Sequence, residues 1–564
     1  MRKRILSISL WILSIGMYLN AQDFEWAHTF GGTISDNGNA IAVDISGNVY
    51  TTGAFYETID LDPGSGMENQ TSLGMRDVFI QKLDADGNFL WGKAFGGTST
   101  DSSYSIDIDP SGNVYVTGFF QETVDFDPGV GVSNLSSEGS WDIFILKLDT
   151  NGNFLWAKSI GASGQDVGYG IKVDNSGSVY TTGVFYDTVD FDPGTGIALL
   201  STTGETTANT FILKLDSSGN YVWAKSFYGE ANWGMSINLD SEENIYTTGM
   251  MTGEADFDPG AGTVSLTSVF GYGNYVQKMD NSGNFIWAKA FGGAYNYHPP
   301  VSTVDASGNV YTTGSFDFPG DYDPSDEVFT LTSNGNNDVF ILKLDASGNF
   351  QWAKSFGGDC EFCADGGHSV AIDNSGNVYT TGFFSGTSDF DPGAGTASYT
   401  AVGDRDIFIQ KLNPAGEFIW AQAFGGTERE TSLGIDIDGE NNIYTTGYFA
   451  GTLDFNPSSE TDMHTSVGEW DVFVQKLSQD SLGIEENEWT YVSIYPNPVQ
   501  NLLNISMSQT IDSVEIIGMD GRVYFKQNFN ANEVQINLSD LPKGVYIARI
   551  QSGKTIEHKK LIKK

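Results

Sequence analysis

The amino-acid sequence predicts an all-β protein, a seven-bladed β-propeller of four-stranded blades followed by a small Ig-like β-sandwich. Three observations lead to this fold class. A unit of about 65 residues recurs seven times, each unit contains four strand-like runs, and the repeats show no apolar pattern with the period of a helix. Four antiparallel strands repeated in this way are typical of a propeller, whereas the coils of a β-solenoid are much shorter.

Two independent markers give the number of repeats. A tryptophan followed by a small residue, and a tyrosine followed by Thr/Val-Thr-Gly, each occur once per unit. Because packing between blades requires one bulky aromatic residue per blade, we expect the tryptophans to be packing residues rather than a ligand platform. They are Trp26, Trp91, Trp156, Trp223, Trp287, Trp352 and Trp420, and the tyrosines are Tyr50, Tyr115, Tyr180, Tyr246, Tyr311, Tyr379 and Tyr444.

The second copy shows the four strands of one unit. They are predicted at Ser105–Asp109, Val114–Gly118, Asp142–Leu148 and Phe154–Ile160. Pro-Ser-Gly-Asn joins the first two strands and Asp-Thr-Asn-Gly-Asn joins the last two. Glycine and asparagine at these places supply the positive φ angles of tight hairpins, so both connections are predicted to be turns.

The first and last strands of the array predict how the ring closes. The array opens with a Trp-containing strand, Phe24–Phe30, and its last strand, Asp471–Leu477, has no Trp-containing strand after it. If the Ser105–Asp109 type is innermost and the Trp type outermost, the seventh blade lacks its outer strand. We expect the N-terminal strand to supply it, because an open propeller leaves two unpaired sheet edges.

Residues 1–21 are predicted to be a signal peptide. A basic head, Arg2–Arg4, precedes the apolar residues 5–19, and a small-residue cleavage site stands before Gln22. Fifteen apolar residues are too few to span a bilayer comfortably, which argues against a membrane anchor. No later segment is long and apolar enough to span a membrane, so the exported protein is expected to be soluble.

Charge divides the chain into segments. The whole chain has 28 basic and 72 acidic residues, a net charge of −44, but residues 491–564 contain nine basic and six acidic residues. The signal peptide is also +3, which leaves −50 for residues 22–490. Such acidity repels nucleic-acid phosphates and anionic lipids. We therefore predict a signal peptide (1–21), a propeller (22–477), an acidic linker (478–490) and a C-terminal domain (491–564), with no nucleic-acid partner.

Three ordered motifs stand near the C-terminus, before a basic end. They are Tyr495, Pro496, Asn497 and Pro498, then Gly521 and Arg522, then Leu541, Pro542, Gly544 and Tyr546. In this order they resemble the type IX secretion C-terminal sorting domain. The resemblance implies a bacterium of the Bacteroidetes type, contact with the type IX secretion machinery and passage through the outer membrane. It also implies removal of the tail by a surface sortase within the linker, with attachment to surface lipopolysaccharide or release. The alternative is an ordinary adhesive module.

The repeats also resemble a known family. The pattern Val-Asp-x-Ser-Gly-Asn-Val-Tyr-Thr-Thr-Gly, together with Asp-x-Phe-Ile-x-Lys-Leu-Asp, is similar to the bacterial β-propeller repeat family, with the rhythm of NHL-type blades. This resemblance covers residues 24–477. It implies the fold and says little about activity.

Twelve of the sixteen cations in residues 22–490 occupy two positions of the repeat. We expect these lysines to form ion pairs with carboxylates of neighbouring blades and to lie over apolar surface. The first position holds Lys82, Lys147, Lys214, Lys278, Lys343, Lys411 and Lys476, and the second holds Lys93, Lys158, Lys225, Lys289 and Lys354.

Pairs of aspartates recur in the long connection between the second and third strands. In an extended segment, carboxylates at i and i+2 lie on one side, which suits Ca²⁺. The alternative is a turn in which each aspartate caps local amides, and a Ca²⁺ site needs six or more oxygens. The pairs are Asp60/Asp62, Asp125/Asp127, Asp190/Asp192, Asp256/Asp258, Asp321/Asp323 and Asp389/Asp391, with Asp454/Asn456 as the seventh copy.

The two cysteines, Cys360 and Cys363, lie on an insertion found in one blade. In an exported protein this spacing predicts a local disulfide. Redox catalysis would need a strand-to-helix motif that is absent, and a zinc site that recruits His368 would still lack a ligand.

The sequence contains none of the common catalytic motifs, neither a nucleophile elbow, a metalloprotease helix nor a phosphate loop. No catalytic residue or cofactor is predicted beyond possible Ca²⁺. The pattern favours a non-catalytic binding or scaffold module, attached to the cell surface or released, for a glycan, a protein or a divalent cation. The alternative is an extracellular carbohydrate-active hydrolase or lyase that uses the acidic loop face. Because catalytic groups should break the repeat, the segment 295–300 and the cysteine insertion are the places to look for a specific site.

Overall fold

The computed structural model describes residues 22–564 except 203, 205–206, 293–298, 360–362, 459, 480–492, 520 and 553–554. The predicted signal peptide, most of the acidic linker, Cys360 and residues 295–298 lie outside this part. The described residues form β-strands and turns and divide at Gln479 into two compact units. They include no helix long and apolar enough to cross a membrane.

The first unit contains seven antiparallel sheets built on four strands each, which is the predicted propeller. The innermost strands are Asn37–Val43, Ser102–Ile108, Val167–Val173, Tyr228–Leu239, Val301–Val304, Gly366–Ile372 and Glu430–Ile437. The second strands are Val49–Asp60, Val114–Phe120, Val179–Phe185, Ile245–Asp256, Val310–Phe316, Val378–Phe384 and Ile443–Phe449. The third strands are Asn69–Leu83, Asp142–Leu148, Asn209–Leu215, Ser265–Met279, Asp338–Leu344, Asp406–Leu412 and Asp471–Gln479. The outermost strands are Phe89–Phe95, Phe154–Ile160, Tyr221–Ser226, Phe285–Phe291, Phe350–Gly358, Phe418–Phe424 and, in the seventh blade, Gln22–Phe30.

Each aspartate-rich connection forms a short hairpin arm at the rim. In the first and fourth blades the arm continues the second and third strands, and in the others it is a distinct pair of short strands, of which the pair in the sixth blade also bonds to the outermost strand of the fifth. The separate pairs are Thr123–Asp125 with Asn134–Ser136, Thr188–Asp190 with Leu199–Ser201, Gly320–Asp321 with Thr330–Leu331, Thr387–Asp389 with Ser398–Thr400, and Thr452–Asp454 with Met463–Thr465.

The N-terminal strand closes the ring. Gln22–Phe30 pairs antiparallel with Asp471–Gln479, with Trp26 opposite Lys476 and Phe30 opposite Val472. This confirms the predicted strand order. The pairing stabilises the ring, because the third strand of the seventh blade would otherwise expose an unpaired edge.

The core lies between the blades. Every residue of Val114–Phe120 and Asp142–Leu148 is buried, because both faces of these middle strands pack on neighbouring sheets. The tryptophans seal the outer part of each interface. Trp91 stands edge-on to the buried Tyr50, and its indole Nε1 donates to the carbonyl oxygen of Thr150 in the next blade at 3.1 Å. The contacts support the packing role expected for these tryptophans.

The first lysine position differs from expectation. The Lys82 Nζ lies 4.8 Å from the centre of the Tyr50 ring and donates to the carbonyl oxygen of Thr150 at 3.1 Å. Within the described residues, this position forms ion pairs in two blades, and each of those carboxylates belongs to the same blade as its lysine. The prediction of ion pairs with neighbouring blades is wrong here, because turn carbonyls of the next blade receive the ammonium groups.

Buried carboxylates meet at five of the seven blade interfaces. One comes from the point where a third strand becomes buried, and the other stands at or just before the start of the innermost strand of the next blade. All ten are at most 2% exposed. The pairs are Asp471 with Asp36, Asp77 with Asp101, Asp142 with Asp166, Asp338 with Asp365, and Asp406 with Glu430. Between the third and fourth blades the equivalent positions are Asn209 and Asn232.

The pKa values of these carboxyl groups are raised. Burial raises the pKa of Asp338 to about 7, and the neighbouring Asp365 adds to the effect. Burial likewise raises the pKa of Glu430 to about 8, with Asp406 and Glu428 contributing. The Oδ2 of Asp338 accepts from the Asn334 amide, but its Oδ1 has no hydrogen-bond partner. A protonated carboxyl is therefore favoured at this interface.

The second unit is a five-stranded antiparallel sheet that folds over its own core, in agreement with the predicted β-sandwich. Its core includes Leu503, Ile516, Ile550 and Leu561. Leu502–Gly518 is long enough to pair with three other strands. The strands are Ser493–Tyr495, Leu502–Gly518, Val523–Asn537, Gly544–Ser552 and Thr555–Lys563.

Candidate functional site

The seven innermost strands line a central cavity of about 260 Å³. One layer of its wall is made of small residues, which keeps the channel open. A second layer carries polar and charged groups. The small residues are Ala40, Ser105, Gly170, Ser236, Val301, Ser369 and Gly434, and the second layer contains Ala42, Asp107, Lys172, Asn238, Thr303, Ala371 and Asp436.

The charged groups of the second layer connect neighbouring strands. The Lys172 Nζ lies 3.2 Å from the Asp107 Oδ1, and Asp107 raises the pKa of the lysine. The Oδ2 of Asp107 accepts from the amide of Val173, and the Oδ2 of Asp436 accepts from the amide of Val43, each at 2.8 Å. Burial raises the pKa of Asp436 to about 6. These bonds hold adjacent innermost strands at a fixed spacing around the channel.

One mouth of the channel carries an aromatic cluster that does not follow the repeat. It consists of Tyr104, Trp141, Tyr169, Tyr186 and Trp233, from the second, third and fourth blades, and we call it the mouth cluster. All five side chains are partly exposed. It lies on the face that also carries the aspartate-rich connections and the links between blades.

The mouth cluster is continuous. The Tyr104 and Tyr169 rings, which line the channel, have centres 5.1 Å apart. Farther out, Trp141 stacks on the buried Phe119 with ring centres 4.5 Å apart. Phe119 thus backs one face of the Trp141 indole, and the Trp141 side chain is partly exposed.

Two acidic residues beside the cluster stand in a backbone conformation that favours glycine. Glu122 and Asp187 have φ angles of 58° and 62°. The equivalent residues in the fourth, sixth and seventh blades are Gly253, Gly386 and Gly451. Glu122 accepts from the Thr98 hydroxyl at 2.5 Å and Asp187 accepts from the Ser163 hydroxyl at 3.1 Å. Glu57 of the first blade has the same conformation, with a φ of 52°, and accepts from the Thr33 hydroxyl at 2.6 Å, so acidic side chains occupy this strained position in the first three blades.

A different set of rings occupies the other side of the mouth. The Arg405 guanidinium lies 4.2 Å from the centre of the Phe383 ring, and His368 packs on the same ring. Burial lowers the pKa of His368 to about 4, so this imidazole is neutral at physiological pH. Tyr448 and Trp470 stack with centres 4.9 Å apart.

The first aspartate of each pair accepts hydrogen bonds from local amides. The Oδ1 of Asp60 accepts from the amides of Asp62 and Glu68, which lie two and eight residues ahead in the chain. The same two bonds form in the other six copies, so this oxygen ties the base of each hairpin arm together. The residues are Asp125, Asp190, Asp256, Asp321, Asp389 and Asp454.

The second aspartate of each pair likewise starts a turn instead of joining a set of metal ligands. The Oδ1 of Asp62 accepts from the amide of Gly64, two residues ahead. Asp127, Asp192, Asp258, Asp323 and Asp391 do the same with the amides of Gly129, Gly194, Gly260, Ser325 and Gly393.

These contacts are the ones that the turn-capping alternative predicts. Among the residues placed in the structure, no group of three or more His, Cys, Asp or Glu side chains is arranged to hold a metal. Each pair offers two carboxylates where Ca²⁺ takes six or more oxygens. The Ca²⁺ site stays a prediction.

Cys363 is disulfide-bonded, and the sequence contains one other cysteine. That residue, Cys360, lies outside the described part of the chain. Of the symmetry-breaking segment 295–300, the structure describes Pro299 and Pro300.

The sorting-motif residues have structural roles in the second unit. The Asn497 side chain donates to the carbonyl oxygen of Lys560 and accepts from the amide of Ile562, which ties the Tyr-Pro-Asn-Pro segment to the last strand. Gly521 has a φ of 77° in the hairpin between two strands. Leu541 is buried in the core, and the Tyr546 hydroxyl donates to the carbonyl oxygen of Pro542 at 2.9 Å.

The sequence contained a signal for the mouth cluster that a search for repeated residues passes over. The residue just before the buried start of the third strand changes from blade to blade, although its neighbours repeat. It is Arg76, Trp141, Ala208, Tyr272, Asn337, Arg405 and Trp470 in the seven blades.

Comparisons with known proteins identify two kinds of module. Residues 493–564 match the family described as "Secretion system C-terminal sorting domain", and residues 25–54 and 90–118 match "Beta-propeller repeat". The chain therefore carries β-propeller repeats and a type IX secretion C-terminal sorting domain, and this domain indicates export to the cell surface or the extracellular space.

Two curated proteins share sequence with the chain. An uncharacterized WD repeat-containing protein, L264 of Acanthamoeba polyphaga mimivirus, is 26% identical over 541 residues, which cover 83% of this chain and 38% of the relative. The regulatory protein FlaEY of Caulobacter vibrioides is 26% identical over 136 residues, which cover 24% of this chain and 14% of the relative. The chain thus spans well under half the length of these relatives.

Two solved structures are also similar, each at 11% identity. One is PorZ, described as a bacterial surface component of the type-IX secretion system of Porphyromonas gingivalis. The alignment covers 95% of this chain and 100% of the PorZ chain, with a TM-score of 0.17. The other is the WD40 β-propeller domain of Doa1. The alignment covers 67% of this chain and 93% of the Doa1 chain, with a TM-score of 0.27.

Proposed function

We propose that the exported propeller is a non-catalytic binding module that holds an extracellular ligand at the mouth cluster. The supporting observation is that five partly exposed aromatic side chains gather there in three adjacent blades and not in a sevenfold pattern. The rings pack around a buried core that includes Phe119 and Val184, whereas other blades have residues such as Asn337 and Arg405 at the position of Trp141. Aromatic faces beside a few polar groups are typical of ligand sites.

The position of the acidic groups supports binding rather than hydrolysis. The carboxyl groups at the blade interfaces, whose pKa values are raised, are at most 2% exposed. A general acid must reach the bond that it cleaves, and these groups face the adjacent blade instead.

The proposal includes the route of delivery. The signal peptide directs export across the inner membrane, the C-terminal domain engages the secretion machinery, and a surface sortase removes this domain within residues 478–490. The mature propeller is then attached to the surface or released.

The test measures retention and turnover together. The purified full chain is incubated with immobilised polysaccharides and peptides, and the soluble phase is analysed for cleavage products. We expect retention without products, and we expect Trp141→Ala to reduce it. Phe318→Ala is the matched control, because this aromatic side chain is 55% exposed in another blade. Products that accumulate with time would instead support the hydrolase or lyase alternative.

A further inference from the structure

We propose that the mouth cluster binds a glycan chain whose sugars are uncharged or carry amino groups, an inference that rests on the proposed function. It follows from three features of the site: the partly exposed aromatic rings, the acidic residues Glu122 and Asp187 of the same blades and the charge of the surrounding propeller.

The aromatic faces suit sugar rings. A pyranose has a face of C–H groups with positive partial charge, and the face of an aromatic ring is negative, so the two attract when stacked. Trp141 stacks on the buried Phe119 and is itself partly exposed. The Tyr104 and Tyr169 rings line the channel and are inclined to each other by 50°.

The acidic residues supply acceptors for the hydroxyl edge of the sugar. An ionised carboxylate accepts hydrogen bonds and donates none, so it pairs with hydroxyl and ammonium groups. Glu122 is exposed, and Asp187 directly follows Tyr186 of the cluster. Both occupy a position where three other blades use glycine. Glu57 of the first blade shares the position and the conformation, so the acidic side chains at this position span the first three blades, two of which carry the cluster.

The surrounding charge selects against anionic glycans. Residues 22–490 carry a net charge of −50. Burial raises the pKa of Tyr104, and one cation, Arg76 of the first blade, is close enough for its charge to oppose this rise. Three acidic residues, Glu122, Glu138 and Asp187, lie on the segments that surround the cluster. A uronate or sulfate chain would meet net repulsion, whereas a neutral chain would not and an amino sugar would be attracted.

The experiment titrates the full chain with four probes and follows binding by calorimetry. The probes are neutral cello-oligosaccharides, chitosan oligosaccharides, oligogalacturonate and an arginine-rich peptide. We expect saturable binding of the first two, weakened tenfold or more by Trp141→Ala, a loss of about 1.4 kcal/mol. Phe318→Ala should leave the affinity unchanged. If Trp141→Ala does not fold, as judged by its melting curve, Glu122→Gln is used, and it should reduce the preference for chitosan over cello-oligosaccharides.

The outcomes separate the two proposals. Oligogalacturonate that binds as tightly as the neutral chain, or a peptide that alone binds with dependence on Trp141, would overturn the glycan inference while the binding function stands. If none of the four probes binds, the glycan inference is wrong. If a probe binds and both Trp141→Ala and Glu122→Gln leave its affinity unchanged, the mouth cluster is not the binding site and both proposals fail.

Discussion

Replacing one buried carboxyl group should make the propeller more stable at alkaline pH. Asp338 is 1% exposed, faces Asp365 and has a pKa raised to about 7. In the unfolded chain its pKa is near the ordinary value of 3.8. Between these two values the folded state binds more protons than the unfolded state, so the stability contributed by this group is complete below pH 4 and is lost as the pH rises through 7.

The magnitude follows from the size of the shift. Three units at about 1.36 kcal/mol each give an upper bound of about 4 kcal/mol lost between pH 4 and pH 8. An amide stays neutral over this range. In Asp338→Asn the Oδ1 takes over the bond from the Asn334 amide and the Nδ2 faces the Asp365 carboxylate. Asn209 and Asn232 already occupy the equivalent positions between the third and fourth blades, so the fold accepts amides there.

The assay is equilibrium denaturation of the full chain at pH 5 and pH 8, followed by tryptophan fluorescence. We expect Asp338→Asn to gain about 1–3 kcal/mol at pH 8, less than the upper bound because buried ions relax their surroundings. At pH 5 the gain should fall to about a third of its value at pH 8, because pH 5 lies only about one unit above the pKa of the unfolded chain. The control is Asp326→Asn, an exposed carboxylate in the same blade. If Asp338→Asn is destabilised at pH 8, or if the wild type is no less stable at pH 8 than at pH 5, the carboxyl groups are not protonated in the folded state and the reasoning is wrong.

Three further predictions concern the ring and its turns. Deleting residues 22–30 should lower the melting temperature by many degrees, because it exposes the edge of Asp471–Gln479; an unchanged melt would contradict the observed closure. Lys82→Met should cost about 1 kcal/mol by denaturation, since the stem still covers Tyr50 but the bond to the Thr150 carbonyl is lost; a free energy of unfolding equal to that of the wild type would show that the bond contributes little. Turn capping by the aspartate pairs predicts neither heat nor a thermal shift on calorimetry with Ca²⁺, and saturable heat that Asp60→Asn removes would establish the Ca²⁺ site instead.

The sequence predicts the fold well because the features that determine it are local and repeated. The tight turns, the buried third strands and one tryptophan recur in each unit. The Trp-containing strand at residues 24–30, which precedes the first complete unit, is enough to predict the closure of the ring. Where a boundary differs, the cause is also local. The innermost strand of the second blade begins at Ser102 rather than Ser105 because a bulge between Ser103 and Ser105 lets pairing continue past the predicted start.

The candidate site is less accessible to sequence reasoning because it is made by residues from different blades. Tyr104, Trp141 and Trp233 are far apart in the chain and sit in positions that vary, so a search for repeated residues discards them. The carboxyl pairs are hidden for the same reason, since Asp77 and Asp101 look like ordinary loop acids until the neighbouring blade covers them. The lysine prediction fails because a backbone carbonyl leaves no trace in the sequence as a partner.

The most direct test of the account is a titration of the full chain with chitosan oligosaccharides, with calorimetry for binding and chromatography for products. The account predicts saturable binding without cleavage, an affinity at least tenfold lower in Trp141→Ala and an unchanged affinity in Phe318→Ala. Cleavage of the oligosaccharide, or binding that Trp141→Ala leaves intact, would contradict it.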